Sequence, residues 1–184
     1  MKAIRTTKVA GTAALAVASV AALSAAKPAQ AQQTGLVPLR AKLGVFLPSS
    51  DAKDFAGGTQ FSGEVDVAIP SLGAGRTFFS AGYYRGSKDG NSLRMIPLTV
   101  GRLFSPPNPV GGVTGNVYFG LGAGAYLLHT SGGGRSGSKT APGGFAVVGY
   151  QFPNPFFVEA KYHVAGSVNG ISPNGLAIMV GRHF

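Results

Sequence analysis

In the stretch Val158-Glu159-Ala160-Lys161-Tyr162-His163-Val164 an acid, an ammonium and an imidazole recur at every second position, and Ser167 follows shortly after. An acid, a histidine and a serine are the parts of a nucleophilic relay. That chemistry works only if the members stand in hydrogen-bond contact. A spacing of two also has a plainer meaning. Successive side chains of a strand point to opposite faces, so Glu159, Lys161 and His163 share one face, and Phe156, Val158, Ala160, Tyr162 and Val164 share the other. On this reading His163 is one more polar group on the charged face of a strand.

The same pattern recurs near the N-terminal end of the main body. Val37 to Leu47 alternates, with Arg40 and Lys42 on the non-apolar face. Thr59 to Ile69 alternates too, with Gln60, Ser62, Glu64 and Asp66 opposite Phe61, Val65, Val67 and Ile69. Three of the chain's six acids (Glu64, Asp66, Glu159) thus share faces with three fixed cations (Arg40, Lys42, Lys161). A solvated face needs no such balance. A narrow, poorly hydrated interior does, because an unpaired charge there costs several kcal/mol. If the first two strands are neighbours, Arg40 and Lys42 can meet Glu64 and Asp66. Exposed cross-strand ion pairs would look the same in sequence and contribute little.

The elements that must carry these residues follow from the alternation. Further strands are expected at Arg76–Arg85, Asn91–Phe104, Asn116–His129, Phe145–Phe152, Phe156–Val164 and Leu176–Phe184, separated by Gly, Pro, Ser and Asn. Pro97 inside the fourth hints at a bulge. Pro48–Gly58 reads as a polar loop and Thr130–Gly144 as a mobile Gly/Ser loop. Gly120, Gly122 and Gly124 on the non-apolar face leave room for Phe46, Tyr84 or Met179 to pack across the axis. Eight such strands joined by hairpins make an all-β, antiparallel up-and-down sheet. Alternation alone allows either a soluble sandwich or ligand-binding barrel, or the inverse arrangement with lipid outside.

Two further features favour the inverse arrangement. Threading the strands up and down brings Phe79, Phe104, Phe119, Phe152, Phe156 and Phe184, half of the 12 phenylalanines, to one rim on the apolar face, as an interfacial girdle would be. Closing one end of a sandwich would use them equally well. The connections at that rim include the short Pro70–Gly75 and Pro153–Pro155, with Ser105–Gly115 an exception. Those at the other end include the longer Pro48–Gly58 and Thr130–Gly144.

The first 31 residues read as a cleaved signal peptide. Lys2, Arg5 and Lys8 precede an Ala-rich apolar run, and Ala29-Gln30-Ala31 is a small-x-small cleavage site. A retained anchor is the rival. Cleavage leaves residues 32–184 as one domain and takes four of the 16 basic residues, lowering the net charge from +10 to +6. Cysteine is absent, which excludes disulfide and thiol chemistry. No cofactor or metal site is expected: Asp51 and Asp54 stand as a pair, and His129, His163 and His183 lie on separate strands. Nucleic acid is not an expected partner, since the basic residues are scattered. Arg85, Lys88, Arg94, Arg135 and Lys139 fall at the loop side, where they suit anionic headgroups or simple solvation.

On Arg94-Met95-Ile96-Pro97-Leu98-Thr99-Val100-Gly101, Tyr118-Phe119-Gly120-Leu121-Gly122-Ala123-Gly124 and the final strand ending in Phe184, the chain resembles the eight-stranded outer-membrane β-barrel family of OmpX/OmpA type. The resemblance covers the whole mature chain. It implies an eight-stranded transmembrane barrel in the outer membrane of a diderm bacterium. It further implies outer-membrane lipid and lipopolysaccharide as surroundings, and the insertion machinery as a partner reading Phe184. Arg182 departs from the usual apolar residue and is expected to reach lipid phosphate at the inner rim. The implied function is a non-enzymatic structural, surface-interaction or adhesion role, with the extracellular ligand unknown. Alternatives are a narrow channel or small-ligand binder and, third, a lipid A-modifying enzyme. Around His163 the chain loosely resembles the His-x-Ser-Asn region of lipid A deacylases, but the serine position there is Ala165.

Overall fold

The computed structural model describes residues 39–49, 51–69, 76–105 and 116–184. The expected signal peptide with Ala29 and Ala31, and nearly all of the Pro70–Gly75 and Ser105–Gly115 connections, lie outside them. The elements are β1 Leu39–Pro48, α1 Asp51–Ala56, β2 Gln60–Ala68, β3 Arg76–Lys88, β4 Asn91–Phe104, β5 Asn116–Gly132, β6 Arg135–Gln151, β7 Phe156–Ala165 and β8 Gly175–His183. The eight strands pair in sequence order and close into a barrel. The seam is antiparallel, from Arg40↔His183 to Pro48↔Gly175, and the Phe184 amide donates to the Leu39 carbonyl at 2.9 Å. The last residue is therefore tied into the wall. From Val45 the register leads to Ser138 of β6 through β2–β5, and to Val148 through β8 and β7, a stagger of ten residues. Such a stagger tilts the strands against the barrel axis.

The period of two decides which side chains face where. Leu47, Phe61, Val65, Leu98, Val100, Leu121 and Val164 are exposed on the outside, whereas Lys42, Glu64, Asp66, Glu159 and Lys161 are buried inside. The outer wall is apolar and the interior holds the charge. Two apolar layers fill the interior on either side of the charged groups. Phe46, Tyr84, Met95, Tyr126 and Leu128 lie toward the loop end, and Phe78, Leu103, Tyr118, Phe145 and Phe157 toward the end carrying the termini.

Three expectations are corrected. Thr130–Gly144 is no loop: β5 and β6 continue through it as a ladder from Asn116↔Gln151 to Gly132↔Arg135. Gly133 and Gly134, with φ of +58° and +74°, make the two-residue turn whose hand matches the twist of the strands. This part of the hairpin rises past the apolar wall, so its residues are small and polar on both faces and carry no periodic signal. Pro97 produces no bulge. The register of β3 against β4 is the same at Ala81↔Leu98 and at Tyr84↔Met95, with only the rungs between them missing. A missing N–H removes a ladder bond without inserting a residue. Third, Pro48–Gly58 contains the helix α1, whose Ala52 and Ala56 are fully buried against Leu93, with Phe55 and Ile171 beside them. One and a half turns are too short to show a helical period in sequence. The helix packs at the loop end of the barrel, against Leu93 of β4.

Candidate functional site

The charged residues of β1, β2 and β7 converge in the interior. Arg40 faces Asp66 and Lys42 faces Glu64 directly across the β1–β2 ladder. Lys42 Nζ is the hub, 2.8 Å from Glu64, 2.9 Å from Asp66 and 3.0 Å from Glu159. Glu159 reaches it from β7 on the β8 side of β1, and also pairs with Arg40. Lys161 Nζ lies 2.7 Å from Glu64 and 4.0 Å from the centre of the Phe145 ring. The Arg40 guanidinium stacks 4.1 Å over Phe157 and donates to the Tyr118 hydroxyl at 2.9 Å. Three carboxylates and three cations thus neutralise one another in a space where all six side chains are at least nine-tenths buried. Charges taken out of water are tolerable when paired this closely and hydrogen-bonded.

Alternation on β3 and β5 brings tyrosines to the same interior. Tyr84 donates to Glu64 Oε1 at 2.6 Å, so its oxygen accepts from His163 Nε2 at 2.9 Å. Tyr126 stands 3.0 Å from His163 Nδ1 and 3.0 Å from the Gly144 carbonyl. Tyr118 donates to Glu159 at 2.8 Å. Both ring nitrogens of His163 are therefore engaged by phenols. Ser167 is not among the partners of His163; its backbone carbonyl accepts from Lys139 at 3.0 Å. The structure does not bring the serine, histidine and acid together as a relay. Tyr84→Phe is expected to cost about 1–3 kcal/mol, because it strips a partner from both the buried His163 and Glu64; chemical unfolding in detergent, followed by far-UV circular dichroism, measures it.

Of the tyrosines in this network the sequence singles out only Tyr84, as a residue packing across the axis. Tyr118 and Tyr126 carry the same parity signal, sharing the inward face of β5 with Gly120, Gly122 and Gly124. The partner of those glycines is also corrected. A Cβ at Gly122 would stand 2.3 Å from the ring of Phe145, so Phe145 fills that gap, while Leu103 and Val147 crowd Gly120. Phe46, Tyr84 and Met179 pack nearer the loop end instead.

Phe79, Phe104, Phe119, Phe152 and Phe184 are exposed at the rim that carries the termini, and Phe156 is half-buried there. Phe104 and Phe119 stack with centroids 5.5 Å apart. Arg182 shares the outward face of β8 with Ile178 and Val180 but is only 6 % exposed, with its guanidinium 5.2 Å from the Phe184 ring and 5.8 Å from Phe156. The long side chain is folded against the rim aromatics, not extended away from the wall as expected. Asp51 and Asp54 sit on α1, and among the described residues no group of three or more acids, histidines or cysteines converges as metal ligands would.

No protein-family profile and no curated protein sequence matches the chain. Solved structures do. The crystal structure of Neisserial surface protein A matches with a TM-score of 0.58 at 16 % identity, covering 80 % of this chain and 96 % of that one. The N-terminal β-barrel domain of Pseudomonas aeruginosa OprF matches with a TM-score of 0.50 at 12 % identity, covering 82 % and 100 %. At this identity the likeness is one of fold: the chain has the fold of the eight-stranded outer-membrane β-barrels.

Proposed function

We propose that the protein is a non-enzymatic integral outer-membrane barrel that serves a structural or surface-interaction role. One observation carries this: the polarity of the wall. A sheet with Leu121 62 % exposed outside and Lys42 2 % exposed inside is unfavourable in water and favourable in hydrocarbon. Strands of about ten residues tilted by some 40° rise roughly 25 Å, the height of an outer-membrane apolar band. In this setting the six rim phenylalanines act as the girdle at the inner interface. Phe184 serves as the terminal aromatic read by the insertion machinery, and residues 1–31 as the export signal.

A channel is disfavoured by the filled interior, since Phe46, Phe157, Tyr84 and Tyr126 are almost wholly buried inside the barrel. A relay enzyme is disfavoured by the separation of Ser167 from His163. Membrane fractionation with heat-modifiable gel mobility tests the proposal. The protein is expected in the outer-membrane fraction and to change mobility on boiling. In planar bilayers it is expected to show no steady conductance steps. A sample that stays monodisperse in buffer without detergent would overturn the reading.

A further inference from the structure

On three consecutive strands the apolar outer wall ends in the same way. Tyr83, Ile96 and Leu127 are the last large apolar residues facing outward, and the next outward positions are Arg85, Arg94 and His129. The register sets these side by side: Arg85↔Arg94 across β3 and β4, then Arg94↔His129 across β4 and β5, then His129↔Ser138. The two guanidinium-bearing residues are thus direct cross-strand neighbours, and like charges so placed repel. No carboxylate relieves them. Of the six acids of the chain, Glu64, Asp66 and Glu159 are consumed inside, and Asp51, Asp54 and Asp89 form no ion pair with either arginine among the described residues. The ammonium groups of the other loop-side lysines are engaged elsewhere, that of Lys88 on the Asp54 carbonyl and that of Lys139 on the Ser167 carbonyl, although Lys139 borders the cavity described next; Lys53 sits on α1.

The wall beneath is recessed in two places. A cavity of about 270 Å³ runs from Arg94 and His129 down to Ile96 and Leu127, and His129 Nδ1 bonds Ser138 Oγ at 2.8 Å along its upper edge. One outward rung below the Phe61↔Arg85 pair, Gly63 leaves a largely apolar notch of about 430 Å³ between Leu43, Phe61 and Tyr83. Paired cations above an apolar slot match a lipid, with its phosphate between the guanidinium groups and an acyl chain in the slot.

We propose that Arg85, Arg94 and His129, with the Gly63 notch, form a binding site for one outer-leaflet lipid whose headgroup carries phosphate. The site rests on the membrane reading above, since these recesses face hydrocarbon only if the wall does. It names a defined position rather than a diffuse attraction. The arginines hold the phosphate bidentately, His129 and Ser138 bond the adjoining headgroup oxygens, and the notch receives the first acyl carbons.

The test uses the purified barrel in a neutral maltoside micelle, first shown to be folded by its heat-modifiable mobility. Native mass spectrometry and thermal shift then follow titration with a phosphorylated glycolipid of the lipid A type, its dephosphorylated form, phosphatidylcholine and inorganic phosphate. The expected result is one phosphorylated lipid bound per chain. Arg85→Gln with Arg94→Gln should weaken it by about tenfold or more, and Gly63→Leu by a few fold. Lys53→Gln with Lys88→Gln should leave it unchanged. Equal binding of the dephosphorylated lipid, an equal loss in the lysine variant, or no loss in the arginine variant would overturn the site. A response to inorganic phosphate as strong as to the lipid would overturn the lipid as the occupant. Failure to fold in the micelle would instead sink the membrane reading, so the two failures are distinguishable.

Discussion

Lys42→Met is expected to destabilise the folded barrel by about 3–5 kcal/mol, the usual cost of removing one partner from a buried ion pair. Lys42 touches all three interior carboxylates within 3.0 Å and is itself 1 % exposed in its side chain. Without it, Glu64, Asp66 and Glu159 face only Arg40 and Lys161, and the interior carries a net negative charge that water cannot reach. Lys42→Met combined with Glu159→Gln restores the balance, and the pair should be distinctly less damaging than the sum of the two single changes. The chain has no tryptophan, so urea or guanidinium unfolding is followed by far-UV circular dichroism and by the heat-modifiable band. High salt should change the result little, because the pairs are shielded from counterions. A loss below about 1 kcal/mol, the level of an exposed pair, would mean that the cluster is hydrated and the interior wet.

Gly44→Val is expected to prevent the barrel from closing. Gly44 pairs with Met179 in the β1–β8 seam. A Cβ there would stand 2.0 Å from the Ile178 carbonyl oxygen and 2.7 Å from Met179 Cα. These are backbone atoms of the partner strand and cannot rotate aside as a side chain can. Relief requires β8 to draw back, which breaks the seam on which closure depends. The effect should exceed about 4 kcal/mol, the range reserved for a disrupted backbone or core, and appear as loss of the fast-migrating unboiled band. Gly63→Ala is the comparison. Its nearest neighbour is Leu43 Cδ2 at 3.1 Å, the flexible end of an outward side chain, and the change should stay within about 0.5 kcal/mol. A closed, heat-modifiable Gly44→Val barrel would show that the seam tolerates a wider spacing than this structure has.

What was legible in sequence, and what was not, divides along one physical line. β1, β2 and β7 are readable almost to the residue, because each separates hydrocarbon from a polar interior and so alternates strictly. The extent of β4 is legible but its register is not, since Leu93, Met95 and Leu103 face inward and Arg94 and Arg102 share the outward parity. The alternation puts Arg40, Lys42, Glu64, Asp66, Glu159, Lys161 and His163 on one side of the wall. Where both faces of a strand meet water, as in the upper half of the β5–β6 hairpin, the apolar period vanishes and backbone pairing alone makes the strand. α1 was invisible for a related reason: its meaning lies in Ala52 and Ala56 meeting Leu93, a contact between distant parts of the chain.

The sidedness of each strand and the numerical balance of interior charge are set locally, by a two-residue period and by the count of acids and bases. Who meets whom across the lumen is set by the closed fold. Glu159 against Lys42, and Tyr84 between Glu64 and His163, depend on the stagger of the closed sheet. That stagger is a property of the completed circle of strands, and no single strand carries it.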